Sequence, residues 1–460
     1  MSGGGARRLF GTDGIRGVAG EFPLDEATVL LIGRVLGRRL AAGEARPRVV
    51  LGQDTRESGA RLADTLTRGL MEQGVEVESA GVATTPAVAF LARQRGFRAG
   101  IVISASHNPW TDNGIKVFGH DGYKLPDPVE LEIEGEIFSR LAAPQRADAE
   151  PASPLKAGSS LPGDPALRRA YEDWLCGSVE VAGARGLKLV VDCAHGAAST
   201  VAPEVLARCG LRAESLNVAP DGQNINDHCG ALHPEVVAQA VQERGADLGI
   251  SFDGDADRAL FACGQGRIVN GDAILLLAAR DMQARGALRN HTVVATTMSN
   301  MGLEAALGRS GIRMLRAPVG DKYVLEEMRK SGAVLGGEQS GHILFLDQAT
   351  TGDGLLTALR VLEVVGRAGR PLAELVADLK VFPQTIQNVR VREKRPLLEV
   401  AAIRRAIEEA ERQLHGNGRV VVRYSGTEPL ARVMVEAESE AAMRAHAHAI
   451  AEAIRVALGA

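Results

Sequence analysis

Four short polar segments carry residue types that can do chemistry: SASHNP (104–109), DGDADR (253–258), GGEQSGH (336–342) and RYSGTEP (423–429). In the second, Asp253, Asp255 and Asp257 alternate, and a locally extended chain would turn all three to one side. Three carboxylates that close repel unless a divalent cation sits among them, and hard carboxylate oxygens suit Mg2+ or Ca2+ better than zinc. An EF-hand loop is excluded, because Arg258 stands where its glycine must be and Gly264 where its bidentate glutamate must be. Three carboxylates leave Mg2+ with open positions, which phosphate oxygens commonly fill. The competing reading is a solvated acidic turn.

Ser106 lies beside His107, but G-x-S-x-G is absent and adjacent side chains seldom form a working dyad. A phosphoryl group on Ser106 would instead complete the coordination of a nearby cation, so that the two motifs explain each other; a plain Ser-rich turn is the alternative. Lys116, read as part of the same glycine-bearing loop, could accept or donate a proton if burial or neighbouring positive charge lowers its pKa. Arg423, Ser425, Gly426, Thr427 and Arg432 mix fork donors, hydroxyls and backbone N–H groups suited to a dianionic phosphate. Glu338, Ser340 and His342 can exchange hydrogen bonds with sugar hydroxyls. GTDGIRG (11–17) reads as a flexible loop able to bring Arg16 to a phosphate.

The elements that must position these residues alternate. PRVVLG, VEVESA and RAGIVIS read as strands separated by amphipathic helices, and LKLVVDCA, ADLGISF, TVVATTM and AVLGG repeat the pattern further along. Such alternation predicts buried parallel strands covered by helices. A Pro, Ala and Ser-rich stretch over 143–164 reads as an interdomain connection. From about residue 375, TIQNVRVR, GRVVVRYS and LARVMVEAES with long helices predict a smaller α+β domain with an antiparallel sheet. Each of the four polar segments follows directly on a predicted strand, and ligands of α/β sheets bind at the carboxyl ends of strands, so one shared cleft is expected.

A chain of 460 residues exceeds a single core. Its net charge of −4, with both signs interspersed, favours neither nucleic acid nor an anionic membrane and points to a small-molecule partner. Five cysteines, never in C-x-x-C, argue against a disulfide framework or zinc ribbon and suit a reducing cytoplasm. No secretory segment precedes Asp13, and no apolar run approaches the ~18 residues of a membrane span.

In their order along the chain, GTDGIRG, SASHNP, DGDADR, GGEQSGH and RYSGTEP resemble the α-D-phosphohexomutase superfamily. GIVISASHNPWTDNGIKVFGHDGYKL, DGQNINDHCG, MSNMGLEAAL, VGDKYVLEEM and GGEQSGHILF are most similar to its bacterial phosphoglucosamine mutase branch. That resemblance implies α/β architecture: three similar α/β/α mixed-sheet domains (1–155, 156–256, 257–372) and a C-terminal α+β, TATA-binding-protein-like domain (373–460) around a central cleft. It implies interconversion of glucosamine 6-phosphate and glucosamine 1-phosphate through a phosphoserine and a 1,6-bisphosphate, feeding UDP-N-acetylglucosamine and cell-wall synthesis. It implies Mg2+ as cofactor, and glucosamine or glucose 1,6-bisphosphate as activator. By position, Ser106 matches the phosphoserine and, with Asp253, Asp255 and Asp257, the metal ligands. Arg16, Lys116, Arg258 and His342 match residues near the phosphoryl group or the proton transfers, Glu338 and Ser340 the sugar clamp, and Arg423, Ser425, Gly426, Thr427 and Arg432 the distal phosphate site. Trp110 and Lys322 depart from the usual tyrosine or phenylalanine and arginine. The partner expected is a phosphosugar, and a homodimer is compatible with the sequence. Alternatives are phosphomannomutase or phosphoglucomutase activity, a metal-dependent phosphatase, and a phosphosugar sensor.

Overall fold

The structure, a computed structural model, describes residues 9–43, 46–142, 161–415, 417–424 and 430–459. All but the last four positions of the expected connection over 143–164, together with Ser425, Gly426 and Thr427, therefore lie outside the described residues. The chain divides into two compact units, Met1–Met298 with Leu315–Val376 and Ser299–Met314 with Ala377–Ala460.

The first unit opens with a hairpin of β1 (Phe10–Gly11) and β2 (Gly14–Val18). Then come α1 (Glu26–Ala41), β3 (Arg48–Gln53), α2 (Gly59–Met71), β4 (Glu76–Val82), α3 (Thr85–Gln94), β5 (Ala99–Ile103), β6 (Asp112–Gly119) and α4 (Asp127–Ala142). The strands form one sheet in the order β1-β2-β6-β5-β3-β4. Side chains alternate across it: Val49, Leu51, Ile101 and Ile103 join the core under α1, α2 and α4, whereas Val50 and Val102 join the core under α3. Burial on both faces is why these strands read as unbroken apolar runs.

The second segment contributes α5 (Pro165–Gly177), β7 (Lys188–Asp192), α6 (Ala198–Arg208), β8 (Arg212–Leu216), α7 (Pro234–Arg244), β9 (Leu248–Phe252), β10 (Ala259–Cys263) and β11 (Ile268–Val269). Its sheet runs β11-β10-β9-β7-β8. Because β10 pairs with β9 and β11 with β10, this sheet continues to Val269, past the expected division at 256/257. The third segment holds α8 (Gly271–Ala284), β12 (Thr292–Thr296), α9 (Met301–Arg309, which belongs to the second unit), β13 (Arg313–Ala317), α10 (Asp321–Ser331), β14 (Leu335–Gly337), β15 (Ile343–Phe345), α11 (Gly354–Ala368) and α12 (Leu372–Leu375). Here β12 is parallel to β14 and β14 antiparallel to β15.

Alternation alone predicted parallel strands, but the sheets are mixed. In each, one strand of the parallel set is followed immediately by an antiparallel return strand: β5 by β6, β9 by β10, and β14 by β15. SASHNP, DGDADR and EQSGH are the three connections, so the site loops hold the same topological place in all three sheets. A return strand closes the loop tightly and fixes its side chains from both ends.

The second unit packs α13 (Ala401–Leu414) and α14 (Glu440–Leu458) against an antiparallel sheet of β16 (Gln384–Arg390), β17 (Gly418–Tyr424) and β18 (Leu430–Ala437) in the order β16-β18-β17. Ile403, Ile407 and Leu414 recur at helical spacing and meet Ala431, Val433, Val435 and Ala437, the period-two face of β18. Among the described residues no helix is long and apolar enough to cross a membrane.

Candidate active site

Ser106 is buried and sits at φ 53°, a left-handed conformation rare for serine. Its loop is held there by groups the sequence reading missed. Arg56 donates from Nη2 to the Ser106 and Asn108 carbonyls at 2.9 and 2.8 Å, and from Nη1 to the Asp112 carbonyl at 2.9 Å and to that of Pro109. Asp54 accepts from Arg56 Nε at 2.9 Å and from Ser104 Oγ at 2.6 Å, and Ser104 Oγ accepts the Ser106 amide at 2.9 Å. Asn226 Nδ2 adds a bond of 3.0 Å to the Ser106 carbonyl. Asp54 and Arg56 lie in QDTRESG, directly after β3, the same carboxyl-end position that singled out the other loops.

Ser106 Oγ donates to Asp253 Oδ2 at 2.6 Å. The second loop can come this close because residue 254 is glycine: a Cβ there would stand 2.6 Å from the Ser106 carbonyl oxygen. Residues 253–257 form a turn, with Ala256 at φ 56°, so turning rather than extended alternation brings the three carboxylates together. All are buried, and each offers an oxygen within 4.8 Å of the others. Asp255 Oδ1 and Asp257 Oδ1 are buried without accepting a hydrogen bond. Burial and repulsion from Asp257 and Asp255 push the Asp253 pKa well above the carboxylate range. Orphaned oxygens, mutual repulsion and convergence fit a hard divalent cation.

Lys116 lies on β6, not in a loop, and its side chain is 1% exposed. Its Nζ is 2.8 Å from Asp255 Oδ2, 2.9 Å from Asp13 Oδ2 and 3.6 Å from Asp257 Oδ2. Burial alone would lower its pKa as expected, but these carboxylates outweigh it and raise the pKa above the ordinary lysine value. The result is a fixed ammonium. Arg16 likewise belongs to a strand, β2, which pairs with β6, rather than to a flexible loop. Its guanidinium pairs with Asp13 and donates to Asn108 Oδ1 at 3.2 Å. Burial and the positive charges of Arg258 and Arg16 hold the His107 pKa down to about 4, so the imidazole 3.4 Å from Ser106 Oγ is neutral.

From the third loop, Glu338 accepts from the Gly320 amide and from Ser340 Oγ, each at 3.1 Å. His342 is buried with Nδ1 3.5 Å from Asp257 Oδ1 and Nε2 3.7 Å from Asp321 Oδ2. Burial would lower its pKa, but Asp257 and Asp321 push it up to about 9. The Gly352 amide also donates to Nε2 at 3.2 Å, and only an unprotonated Nε2 can accept that bond. While that bond is made, the ring proton stays on Nδ1, facing Asp257. Arg258 donates its backbone N–H to Asp253 Oδ1 at 3.1 Å and holds Nε 3.8 Å from Asp257 Oδ1. Arg16, His107, Asp257, Arg258, Glu338 and His342 line one cleft of about 410 Å3.

In the second unit, Arg423 of β17 and Arg432 of β18 are direct cross-strand partners, Arg423 exposed and Arg432 half-buried. Like charges directly opposite on a sheet are unfavourable.

Matches to models of the phosphoglucomutase/phosphomannomutase family follow the chain in order. The alpha/beta/alpha domain I model matches residues 7–143, domain II 170–266, domain III 270–382 and the C-terminal domain 387–453. A phosphoglucosamine mutase of Koribacter versatilis is 63% identical over 98% of both chains. Another, of Solibacter usitatus, is 51% identical over 99% of this chain and all of its own. The chain belongs to the phosphoglucosamine mutase family. A crystal structure of a phosphoglucomutase/phosphomannomutase family protein from Burkholderia thailandensis matches with a TM-score of 0.78, 26% identity and 97% coverage of each chain. As in any phosphohexomutase, the chemistry is an intramolecular phosphoryl transfer. Of the two departures from the phosphoglucosamine mutase pattern, Trp110 is 37% exposed, and Lys322 pairs with Asp127 and with Glu130 Oε2 at 3.1 Å.

Proposed function

We propose that this chain interconverts glucosamine 6-phosphate and glucosamine 1-phosphate through a phosphorylated Ser106 and a 1,6-bisphosphate intermediate. The observation that carries the reading is Ser106 Oγ lying 2.6 Å from Asp253, within a carboxylate triad whose oxygens are partly orphaned. Asp253, Asp255, Asp257 and the Ser106 phosphoryl group would hold Mg2+. When bound, the ion offsets negative charge on the transferring phosphoryl oxygens.

The chain's own residues do the rest. Arg56 and Asn226 fix the Ser106 carbonyl, so that the nucleophile is positioned before substrate arrives. Lys116, held as an ammonium beside Asp255, keeps a fixed positive charge next to the carboxylates that would bind the metal. Arg16 and Arg258 face the equatorial oxygens of the group in transfer. Glu338, Ser340 and His342 hold the sugar hydroxyls. We assign the phosphate not undergoing transfer to Arg423, Ser425, Gly426, Thr427 and Arg432, whose task is recognition regardless of which carbon bears it. A 1,6-bisphosphate serves as activator by reloading Ser106, and we place the reaction in the cytoplasm.

Parallel assays on the 6-phosphates of glucosamine, glucose and mannose, with inorganic phosphate followed alongside, test this reading. Glucosamine 6-phosphate is expected to isomerise fastest without phosphate release. A preference for mannose or glucose would reassign the substrate, and stoichiometric phosphate release would make the protein a phosphatase.

A further inference from the structure

Lys124 is absent from every role above, yet it bridges Asp13, the carboxylate shared by Lys116 and Arg16, to Asp321. Its Nζ pairs with Asp13 Oδ1 and, at 2.5 Å, with Asp321 Oδ2. From Asp13 the pairing leads to Lys116, and from Lys116 on to Asp257. The two oxygens of Asp13 are divided: Oδ2 takes Lys116 at 2.9 Å and Arg16, while Oδ1 takes Lys124. Pinning Oδ1 stops the carboxylate from rotating, which keeps Oδ2 on both catalytic cations at once.

The backbone makes Lys124 a fixed point. The chain turns back after β6, with the Gly119 amide donating to the Tyr123 carbonyl at 2.8 Å, the Leu125 amide donating to the Val117 carbonyl at 3.3 Å, and an antiparallel bridge joining Phe118 to Lys124. Lys124 is therefore zipped to the strand that carries Lys116. Thr350 Oγ1 donates to the Gly122 carbonyl at 2.6 Å and ties the same turn to the segment before α11. The side chain is 12% exposed and joins two largely buried carboxylates, Asp13 and Asp321.

We propose that Lys124 is a positioning residue for phosphoryl transfer, acting through Asp13 on Lys116 and Arg16, without itself touching the substrate. This rests on the roles proposed above for Lys116 and Arg16. The test uses the full chain loaded with Mg2+ and phosphorylated by glucosamine 1,6-bisphosphate. For Lys124→Met, single-turnover transfer from the phosphoenzyme to glucosamine 6-phosphate is expected to slow by about 10–100-fold, with the KM for glucosamine 6-phosphate within about 3-fold of wild type. Lys124→Arg is expected to recover most of the rate, because a cation again bridges the carboxylates. Asp13→Asn combined with Lys124→Met is expected to be no slower than the slower single variant, since both act through one carboxylate.

A wild-type transfer rate in Lys124→Met would overturn the proposal, as would a double variant whose loss is the product of the two single losses. Should Lys124→Met fail to fold by thermal melt, Asp321→Asn and Lys124→Arg carry the test: an unchanged rate in the first, or a rate in the second as low as that of Asp13→Asn, overturns it. Lys116→Met keeps the two readings apart. If that variant transfers at the wild-type rate, the role given to Lys116 fails; if it is inactive while Lys124→Met is unimpaired, only Lys124 has been misassigned.

Discussion

The cleft of the first unit and the sheet face of the second handle positive charge in opposite ways. Lys116 is buried and already matched by Asp13, Asp255 and Asp257, whereas Arg423 is exposed and stands directly opposite Arg432, another cation. In the first, Lys116 is fully paired before any ligand arrives, while the triad keeps carboxylate oxygens open for a cation. The second sets two cations directly opposite each other on a sheet. Under the assignment proposed above, transfer calls for pre-organisation and recognition of a remote phosphate for a cation exposed at the surface, as Arg423 is.

Four experiments sharpen or break that contrast. The largest effect is expected at Ser106→Ala, where mutase turnover falls by on the order of 10^4-fold or more, because the nucleophile is lost while folding is kept; coupled-assay rates near wild type would remove the cleft from the chemistry. Lys116→Met comes next. Deleting the ammonium leaves three carboxylates facing one another, and the metal-free protein is expected to lose about 3–5 kcal/mol in denaturant melts. Asp255→Asn is expected to weaken Mg2+ binding by about 10–100-fold in calorimetric titration, and unchanged affinity would break the triad. The smallest effect is at Arg423→Ala. The KM for glucosamine 6-phosphate is expected to rise about 10-fold with phosphoserine formation intact, while apo stability holds or improves by about 0.2–1 kcal/mol as the like-charge pair is relieved. Destabilisation there comparable to that of Lys116→Met would erase the contrast.

Much of this was legible in the sequence. Strands such as Ala99–Ile103 and Leu248–Phe252 show as apolar runs because both faces are buried, and DGDADR shows because adjacent carboxylates have no packing use. The return strands were not legible. β6 carries Asp112, Asn113, Gly114 and Lys116, and reads as a loop because its polar groups are paired inside the protein rather than in water. Arg16 was misplaced for the same reason, since a glycine-flanked β2 has weak strand propensity and is held by pairing with β6. The direction of the Lys116 pKa was also beyond reach. It depends on Asp13, a hundred residues earlier in the chain, and on Asp255 and Asp257, which lie on the loop after β9. Arg56 and Lys124 gave no motif because their partners are largely backbone carbonyls in one case and two distant carboxylates in the other.

The most direct measurement is intact-protein mass, with peptide mapping, after the Mg2+-loaded chain is incubated with glucosamine 1,6-bisphosphate. A covalent serine intermediate predicts one added phosphoryl group per chain, located at Ser106, that is discharged by glucosamine 6-phosphate at a rate matching turnover. An active protein that never gains that mass, or gains it at another residue, would contradict it.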